Sequence, residues 1–161
     1  MKRKIIIALV ISLFAIYGGI AYAQTYSTAI GFRGGLFSGI TVKHAIGANK
    51  LVEGIVASKW DGIAIIGLLE FQKQTTTDHL YWYWGFGGHV ATYDRFRYYD
   101  PHSSHYYSGN FLTVGVDGIL GLEYQFKDIP LDLSVDVKPY IDFIDPIFNI
   151  FDGAVSARYY F

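Results

Sequence analysis

The sequence contains no cysteine and little charge. Asp, Glu, Lys and Arg together make up 17% of its 161 residues. The absence of cysteine excludes disulfide bonds, iron–sulfur centres and a thiol nucleophile. A low charge content beside 18% aromatic residues excludes intrinsic disorder, because disordered chains are poor in aromatics and rich in charge. The formal net charge of −1 leaves no basic footprint for nucleic acid, so we expect no nucleic-acid partner.

A long apolar run is present only at the start of the chain. Basic residues at 2–4 precede an apolar run over 5–20, and Ala21-Tyr22-Ala23 then supplies the small-x-small pattern that a signal peptidase cleaves. These features predict a cleaved signal peptide over 1–23, Sec-type export and one mature domain over 24–161. Loss of the three basic residues takes the formal net charge from −1 to −4. A transmembrane anchor is the alternative, since the run approaches the length that spans a bilayer; a glycine pair within it favours cleavage.

The mature chain alternates with a period of two. In the clearest segment, 131–143, apolar residues from Leu131 to Phe143 occupy one side of an extended chain and polar residues from Asp132 to Asp142 the other. Such alternation is typical of a strand whose two faces meet different surroundings. Seven further segments repeat it more weakly, at 26–37, 39–46, 50–59, 63–72, 80–93, 111–126 and 153–161. With turn-forming residues between them, the sequence predicts an all-β fold, an eight-stranded antiparallel up-and-down barrel.

Two kinds of barrel share this pattern, and residue size favours one of them. The apolar face is crowded with Leu, Val, Ile, Phe and Trp, which are too bulky to fill the interior of eight strands. The opposite face mixes small residues with isolated charges. Aromatic residues such as Trp82, Trp84 and Tyr124 near predicted strand ends fit the girdles at two lipid–water interfaces. We therefore expect a transmembrane β-barrel with a polar interior, and a soluble, secreted, lipocalin-like carrier is the less favoured alternative.

The alternation places charged side chains inside the barrel. Ions in a narrow, poorly hydrated space persist only if they are paired. We therefore predict a charge network that closes the lumen, centred on Lys138 and Arg158 with Asp136 and Asp117 nearby. The residues assigned to this network are Arg33, Glu70, Asp117, Glu123, Asp136, Lys138 and Arg158. The other inward charges are Lys43, Glu53, Asp132 and Asp142. Neighbouring carboxylates also suit acid–base catalysis, but a structural plug is the favoured interpretation.

The end of the chain carries a resemblance to a known family. Apolar residues alternate up to a terminal aromatic, at Val155, Ala157, Tyr159 and Phe161. This pattern resembles the C-terminal signature of bacterial outer-membrane β-barrels, and the mature chain resembles the small eight-stranded OmpA/OmpX-type, porin-like barrels in size and organisation. The resemblance implies a protein of a Gram-negative-type outer membrane whose partners are the lipid bilayer and the barrel-assembly machinery. Pro139 departs from the pattern, because proline cannot donate to a strand ladder; we expect a bulge or an early strand end there.

One predicted connection, 94–110, is long and rich in aromatic residues. If the amino terminus is periplasmic, this loop is extracellular. Its arginine, tyrosine and histidine residues are Arg95, Arg97, Tyr98, Tyr99, His102, His105, Tyr106 and Tyr107. Rigid aromatics beside arginine are favoured at recognition surfaces, which suggests a surface-binding loop for an extracellular ligand. The alternative is an aromatic extension of strands five and six. A metal site needs three or four converging donors, which the two histidines do not supply, so we predict no metal and no cofactor.

The favoured function is that of a non-enzymatic integral outer-membrane barrel with a closed lumen, which serves envelope structure or surface contact. The alternative is an outer-membrane enzyme that acts on lipid acyl chains. Such an enzyme would need a cluster of serine, histidine and carboxylate, for which His89, Ser104 and Asp94 are the only loose candidates. No family motif supports them, and we predict no catalytic residues.

Overall fold

The computed structural model describes residues 27–59, 62–99, 106–143 and 151–161, so the expected signal peptide lies outside the described residues. The strands are β1 (Thr28–Gly35), β2 (Ser38–Gly47), β3 (Lys50–Lys59), β4 (Gly62–Gln74), β5 (Leu80–Tyr99), β6 (Tyr106–Gln125), β7 (Leu131–Asp142) and β8 (Phe151–Tyr160). Each strand pairs antiparallel with its neighbour in the chain, and β8 pairs with β1 to close a barrel. The predicted eight-stranded up-and-down barrel is confirmed. Within the described ranges, no helix has the length and apolar character to cross a membrane.

The two faces of the strands differ sharply in burial and in chemistry. On β7, Asp132, Asp136 and Lys138 are buried, whereas Val135 and Val137 are about half exposed, at 54% and 48%. Because successive side chains of a strand point to opposite sides, one alternation sends the charges inward and the aliphatic residues outward. Where the side chains of the other strands are described, their buried charges likewise point inward, and large apolar residues such as Ile63, Leu120 and Val155 point outward. The barrel therefore has a charged interior and an apolar outer surface, the reverse of a water-soluble domain.

The barrel has two ends. One, the terminal end, carries Thr28 and Phe161 together with the turns at 48–49, 75–79 and 126–130. Backbone hydrogen bonds between Thr28 and Phe161, at 3.2 and 2.9 Å, close the seam there. The opposite end carries the connections β1–β2, β3–β4, β5–β6 and β7–β8.

Pro139 neither ends β7 nor introduces a bulge, so that expectation is wrong. The strand continues to Asp142, and its register against β6 does not shift between Val137 and Tyr140. Because proline has no N–H, the ladder between β6 and β7 is interrupted at Lys138 and Pro139 and resumes at Tyr140, whereas Pro139 still pairs with Phe151 of β8. Gly118 of β6 leaves room for the proline ring, since a Cβ added there would lie 3.3 Å from the ring.

The segment 94–110 is mostly strand rather than loop. β5 runs to Tyr99 and β6 begins at Tyr106, and these two residues pair across the hairpin. The expectation of a loop over the whole segment is therefore wrong, and the alternative of an extension of the two strands describes the backbone. The side chains of 93–99 and 106–111, and residues 100–105 entirely, lie outside the description. The sequence left the loop and the extension both open, because aromatic and polar residues follow each other here without an apolar–polar period, although aromatics favour strands.

Candidate functional site

The interior of the barrel is densely charged. Among the described residues, four buried cations face seven buried carboxylates. The cations are Arg33, Lys43, Lys138 and Arg158, and the carboxylates are Glu53, Glu70, Asp117, Glu123, Asp132, Asp136 and Asp152. All the residues that the sequence assigned to the network are buried here. Their pairing divides them into distinct groups.

Arg158 is the centre of the first group. Its guanidinium lies 2.7 Å from Oε1 of Glu53, 3.1 Å from Oδ1 of Asp132 and 3.8 Å from Oε2 of Glu123. The hydroxyl of Thr41 donates a further hydrogen bond to Glu53. Because the planar guanidinium presents five donors in a fixed fork, one side chain can hold carboxylates from β3, β6 and β7 together. Arg158 is fully buried and braces strands on opposite sides of the barrel.

Lys43 is the centre of a second group that shares Glu123 with the first. Its Nζ lies 2.9 Å from Oε2 of Glu70 and 3.1 Å from Oε2 of Glu123. The ammonium also sits 4.1 Å from the ring centre of Tyr83, a cation–π distance. Two glutamine side chains donate to the other oxygen of Glu123 at 2.9 and 3.0 Å: Gln72 and Gln125. Glu123 thus joins the Lys43 and Arg158 groups into one polar layer.

Arg33 forms a third group with two aspartates. It donates to both oxygens of Asp136 at 2.8 and 2.7 Å, the bidentate geometry that suits guanidinium and carboxylate, and to Asp152 at 3.3 Å. Asp152 also accepts the backbone N–H of Leu36 at 2.9 Å, which fixes the β1–β2 turn over the mouth of the barrel. The Tyr83 hydroxyl donates to Asp136 at 3.1 Å. Tyr83 therefore contacts both the Lys43 and the Arg33 groups.

Lys138 belongs to a fourth group with His89. Its Nζ donates to Oδ1 of Asp117 at 2.6 Å, and His89 places its two ring nitrogens 2.7 Å from Asp117 and 2.6 Å from Asp142. A neutral imidazole carries only one N–H, so contact of both nitrogens with carboxylate oxygens requires a proton on both nitrogens or on one of the carboxyl groups. The Lys138 ammonium also lies 4.7 Å from the ring centre of Phe37. Ions and rings are thus mixed in this group.

The pairing differs from the predicted network in its centre. Lys138 and Arg158 belong to separate groups, and Asp136 pairs with Arg33 rather than with either of them. Only Lys138 with Asp117 forms as expected. The sequence interpretation also missed Asp152, because it lies just before 153–161, the last segment in which alternation is expected. Its parity with Ala154 and Ser156 on the inward side of β8 could have revealed it.

The interior also contains an apolar cluster that the sequence interpretation did not foresee. The expectation that small residues and ions share the lumen is wrong for this part of the barrel. Its larger buried members are Phe37, Ile55, Ile66, Leu68, Tyr83, Ile119 and Tyr140. Phe37 lies in the β1–β2 turn, and the others sit on the inward side of strands whose outward side is also largely apolar, so the alternation there is weak. Together with the ionic groups, they fill the centre of the barrel.

The loose enzymatic candidates do not form a site within the described residues. His89 is already held by two aspartates inside the barrel. Ser104 and the side chain of Asp94 lie outside the description, as do the side chains of the predicted surface-binding residues. No cluster of three or more His, Cys, Asp or Glu side chains in the described ranges is arranged to hold a metal ion.

The four residues of the C-terminal pattern line one side of the last strand. Val155, Tyr159 and Phe161 are exposed on the outer surface at 58%, 55% and 67%, and Ala157 is exposed beside them. The β8–β1 ladder runs alongside, with Ala157 opposite Phe32. The pattern therefore lies at the seam where the barrel closes.

Together, the fold and its interior define the class as a closed, eight-stranded antiparallel barrel with an ion-paired core. No protein-family model and no curated protein matches the sequence. Among solved structures, the barrel is similar to the N-terminal β-barrel domain of Pseudomonas aeruginosa OprF, with a TM-score of 0.66 and 9% identity. The match covers 83% of this chain and 95% of that domain. At this identity the similarity establishes a shared fold.

Proposed function

We propose that the protein is a non-enzymatic, integral β-barrel of the outer membrane of a Gram-negative-type bacterium. One observation carries this proposal: side chains such as Arg158 are fully buried, whereas Phe32 is 74% and Ile141 61% exposed. Contiguous exposed apolar surface of this extent marks a lipid or protein interface, and an apolar belt around a polar interior is the pattern of a membrane barrel. A soluble ligand carrier would need the opposite arrangement. Similarity to the OprF domain adds support at the level of the fold.

The interior supports a closed, charge-plugged lumen. Each buried cation has a carboxylate within 3.1 Å, and the apolar cluster fills the space between the ionic groups. An eight-stranded barrel has room only to be filled by side chains, whereas open channels belong to barrels of about 16 strands or more. The protein then serves as an envelope component rather than as a general pore.

Cell fractionation and electrophoresis test the location and the fold. We expect the mature chain, 24–161, in detergent-extracted outer membranes, and we expect the refolded chain to migrate faster before heating than after it. Recovery in the soluble periplasm would contradict the proposal. A comparison of lipid A masses with and without the protein tests for acyl-chain chemistry, and a changed lipid A would contradict the non-enzymatic assignment.

A substitution at the seam tests the proposed assembly signal. We expect Phe161→Ala to reduce the amount of folded barrel in cells several-fold while leaving refolding in detergent intact, because the signal is read by the assembly machinery. Phe151→Ala is the matched control, since Phe151 is a similarly exposed aromatic, at 63%, near the other end of the same strand. Equal loss in the two variants would contradict a specific signal.

The β5–β6 hairpin supports surface binding as a second role. β4 pairs with β5 as far as Thr92, and β7 pairs with β6 as far as Gly115, so among the described residues the hairpin beyond them pairs only with itself. This extension carries the proposed surface-binding residues Arg95, Arg97, Tyr98, Tyr99, Tyr106 and Tyr107, with His102 and His105 between the strands. We expect its replacement by a short turn to leave heat-modifiable migration unchanged and to reduce attachment of expressing cells to surfaces. Unchanged attachment would restrict the function to the envelope.

A further inference from the structure

Where its side chains are described, the outer surface of the strands carries almost no charge, and the charge it has is of one sign. Where side chains are described, the outward positions of the eight strands hold no Asp or Glu. The formally charged side chains at those positions are Lys50 and Lys73, and both are exposed. Within the described ranges neither lysine forms an ion pair. Two lysines without an ion-pair partner on a largely apolar surface are complementary in charge to an anionic group from outside the chain.

The two lysines are neighbours. Lys50, the first residue of β3, pairs with Phe71 of β4, and Lys73 lies two residues further along β4 on the same face. Diagonal neighbours of this kind have side chains about 7–8 Å apart at their bases. The backbone N–H of Gln72 donates to the carbonyl of Asn49 at 3.0 Å, which fixes the β2–β3 turn against β4. The spacing of the lysines is therefore built into the terminal end of the barrel.

Aromatic rings complete this surface. Phe71 adjoins both lysines, opposite Lys50 and two residues before Lys73, and it stacks on Trp84 with ring centres 4.8 Å apart. Trp82 pairs directly with Lys73 and is 37% exposed. Tryptophan concentrates at the level of lipid headgroups, where its ring meets acyl chains on one side and polar groups on the other. We call these five residues, Lys50, Phe71, Lys73, Trp82 and Trp84, the lysine–aromatic patch.

We propose that the lysine–aromatic patch binds the phosphate of an anionic phospholipid in the leaflet at the terminal end of the barrel. This inference rests on the membrane location proposed above. The two ammonium groups supply charge complementarity to the headgroup, and the aromatic rings supply a surface for the upper part of the acyl chains. Glu70 of β4 points inward to Lys43, and Asp78 of the following turn, a described residue, forms no ion pair with Lys50 or Lys73. Each lysine near a bilayer surface favours anionic lipid about fivefold.

Tryptophan fluorescence can report lipid contact at the patch itself. The chain has three tryptophans, and Trp60→Phe leaves only Trp82 and Trp84 as emitters. This variant of the mature chain is refolded into phosphatidylcholine vesicles that contain equal mole fractions of brominated phosphatidylglycerol or brominated phosphatidylcholine, because bromine quenches tryptophan only on contact. We expect the anionic lipid to associate with the patch about five- to twenty-fold more strongly than the zwitterionic one.

Lysine substitutions separate the patch from general membrane contact. We expect the double variant Lys50→Gln, Lys73→Gln to bring the ratio of anionic to zwitterionic lipid association at the patch close to one. Lys127→Gln, which removes an exposed lysine from the β6–β7 turn at the same end, should retain it. Equal quenching by both lipids in the parent, or an unchanged preference in the double variant, would overturn the patch and leave the membrane location standing. The absence of quenching by either lipid would overturn both.

Discussion

The Arg158 group and the Lys138 group both stabilise a buried cation, but the contacts of the two cations differ. Arg158 is surrounded by carboxylates from three strands, whereas Lys138 pairs with the single carboxylate of Asp117 and lies over the rings of Phe37 and Tyr140. The fork of a guanidinium can satisfy several acceptors at once, and a compact ammonium is better completed by aromatic faces. The first group is held together by charge and the second partly by packing. The two should therefore respond differently when the cation is removed.

The largest effect is expected for Arg158→Ala. The substitution leaves Glu53, Asp132 and part of Glu123 buried without their cation, and breaking a buried ion pair from one side costs about 3–5 kcal/mol of the free energy of unfolding. Urea unfolding of the refolded barrel from vesicles measures this cost. Adding Glu53→Gln to Arg158→Ala removes one stranded charge and should recover part of the loss. An unchanged unfolding midpoint in Arg158→Ala would show that the Arg158 group does not stabilise the barrel.

A smaller loss is expected for Lys138→Met. Asp117 keeps its contact with His89 when the ammonium is removed, and the methionine side chain can still pack on the rings of Phe37 and Tyr140. The loss of a charged hydrogen bond to a buried group costs about 1–3 kcal/mol. The same urea titration gives the comparison with Arg158→Ala. A Lys138→Met loss as large as that of Arg158→Ala would mean that packing does not compensate for charge at this position.

The sequence predicts which charged side chains point into the barrel better than it predicts which of them form pairs. Alternation along one strand determines which side chains point inward, and this was sufficient to place Arg33, Asp136 and Arg158 inside the barrel. It does not determine which of them meet, because partners such as Arg33 and Asp136 come from non-adjacent strands whose relative heights depend on strand register and tilt. Pairing within one ladder is different, and Lys138 with Asp117, on the neighbouring strands β6 and β7, was predictable.

The same reasoning explains two of the errors in the strands, the loop expected over 94–110 and the unforeseen apolar cluster. A period of two appears only where the two faces meet different surroundings. Beyond Thr92 the β5–β6 hairpin has no neighbouring strand among the residues that the structure describes, and its sequence carries no apolar–polar contrast. Ile55, Ile66 and Ile119 point inward, and their neighbours on the outward side are aliphatic too. The sequence shows no contrast between the two faces there and therefore does not reveal the apolar cluster. Both errors fall where alternation is absent.

Tyr83 tests how much a contact between groups contributes to stability, because it joins the Lys43 group to the Arg33 group. Its ring receives the Lys43 ammonium and its hydroxyl donates to Asp136. Tyr83→Phe keeps the ring and removes one buried hydrogen bond, for an expected loss of about 0.5–1.5 kcal/mol. Arg158 and Lys138 belong to separate groups, so the losses of unfolding free energy in Arg158→Ala and Lys138→Met should add within about 0.5 kcal/mol. A double-mutant cycle measures this additivity, and strong coupling would show that the groups act as one network.

The smallest expected effect is on conductance. Loss of either cation, Arg158 or Lys138, should leave planar bilayers that contain the protein without steady large currents, although it lowers stability. The reason is that the apolar cluster of Phe37, Ile66 and Tyr140 remains, and bulky side chains still fill a lumen that eight strands make narrow. The matched measurement compares the parent with Arg158→Ala and Lys138→Met at equal protein-to-lipid ratio. If Arg158→Ala alone opened a steady pore, the charges rather than the packing would be the barrier, and the contrast between the two groups would extend from stability to permeability.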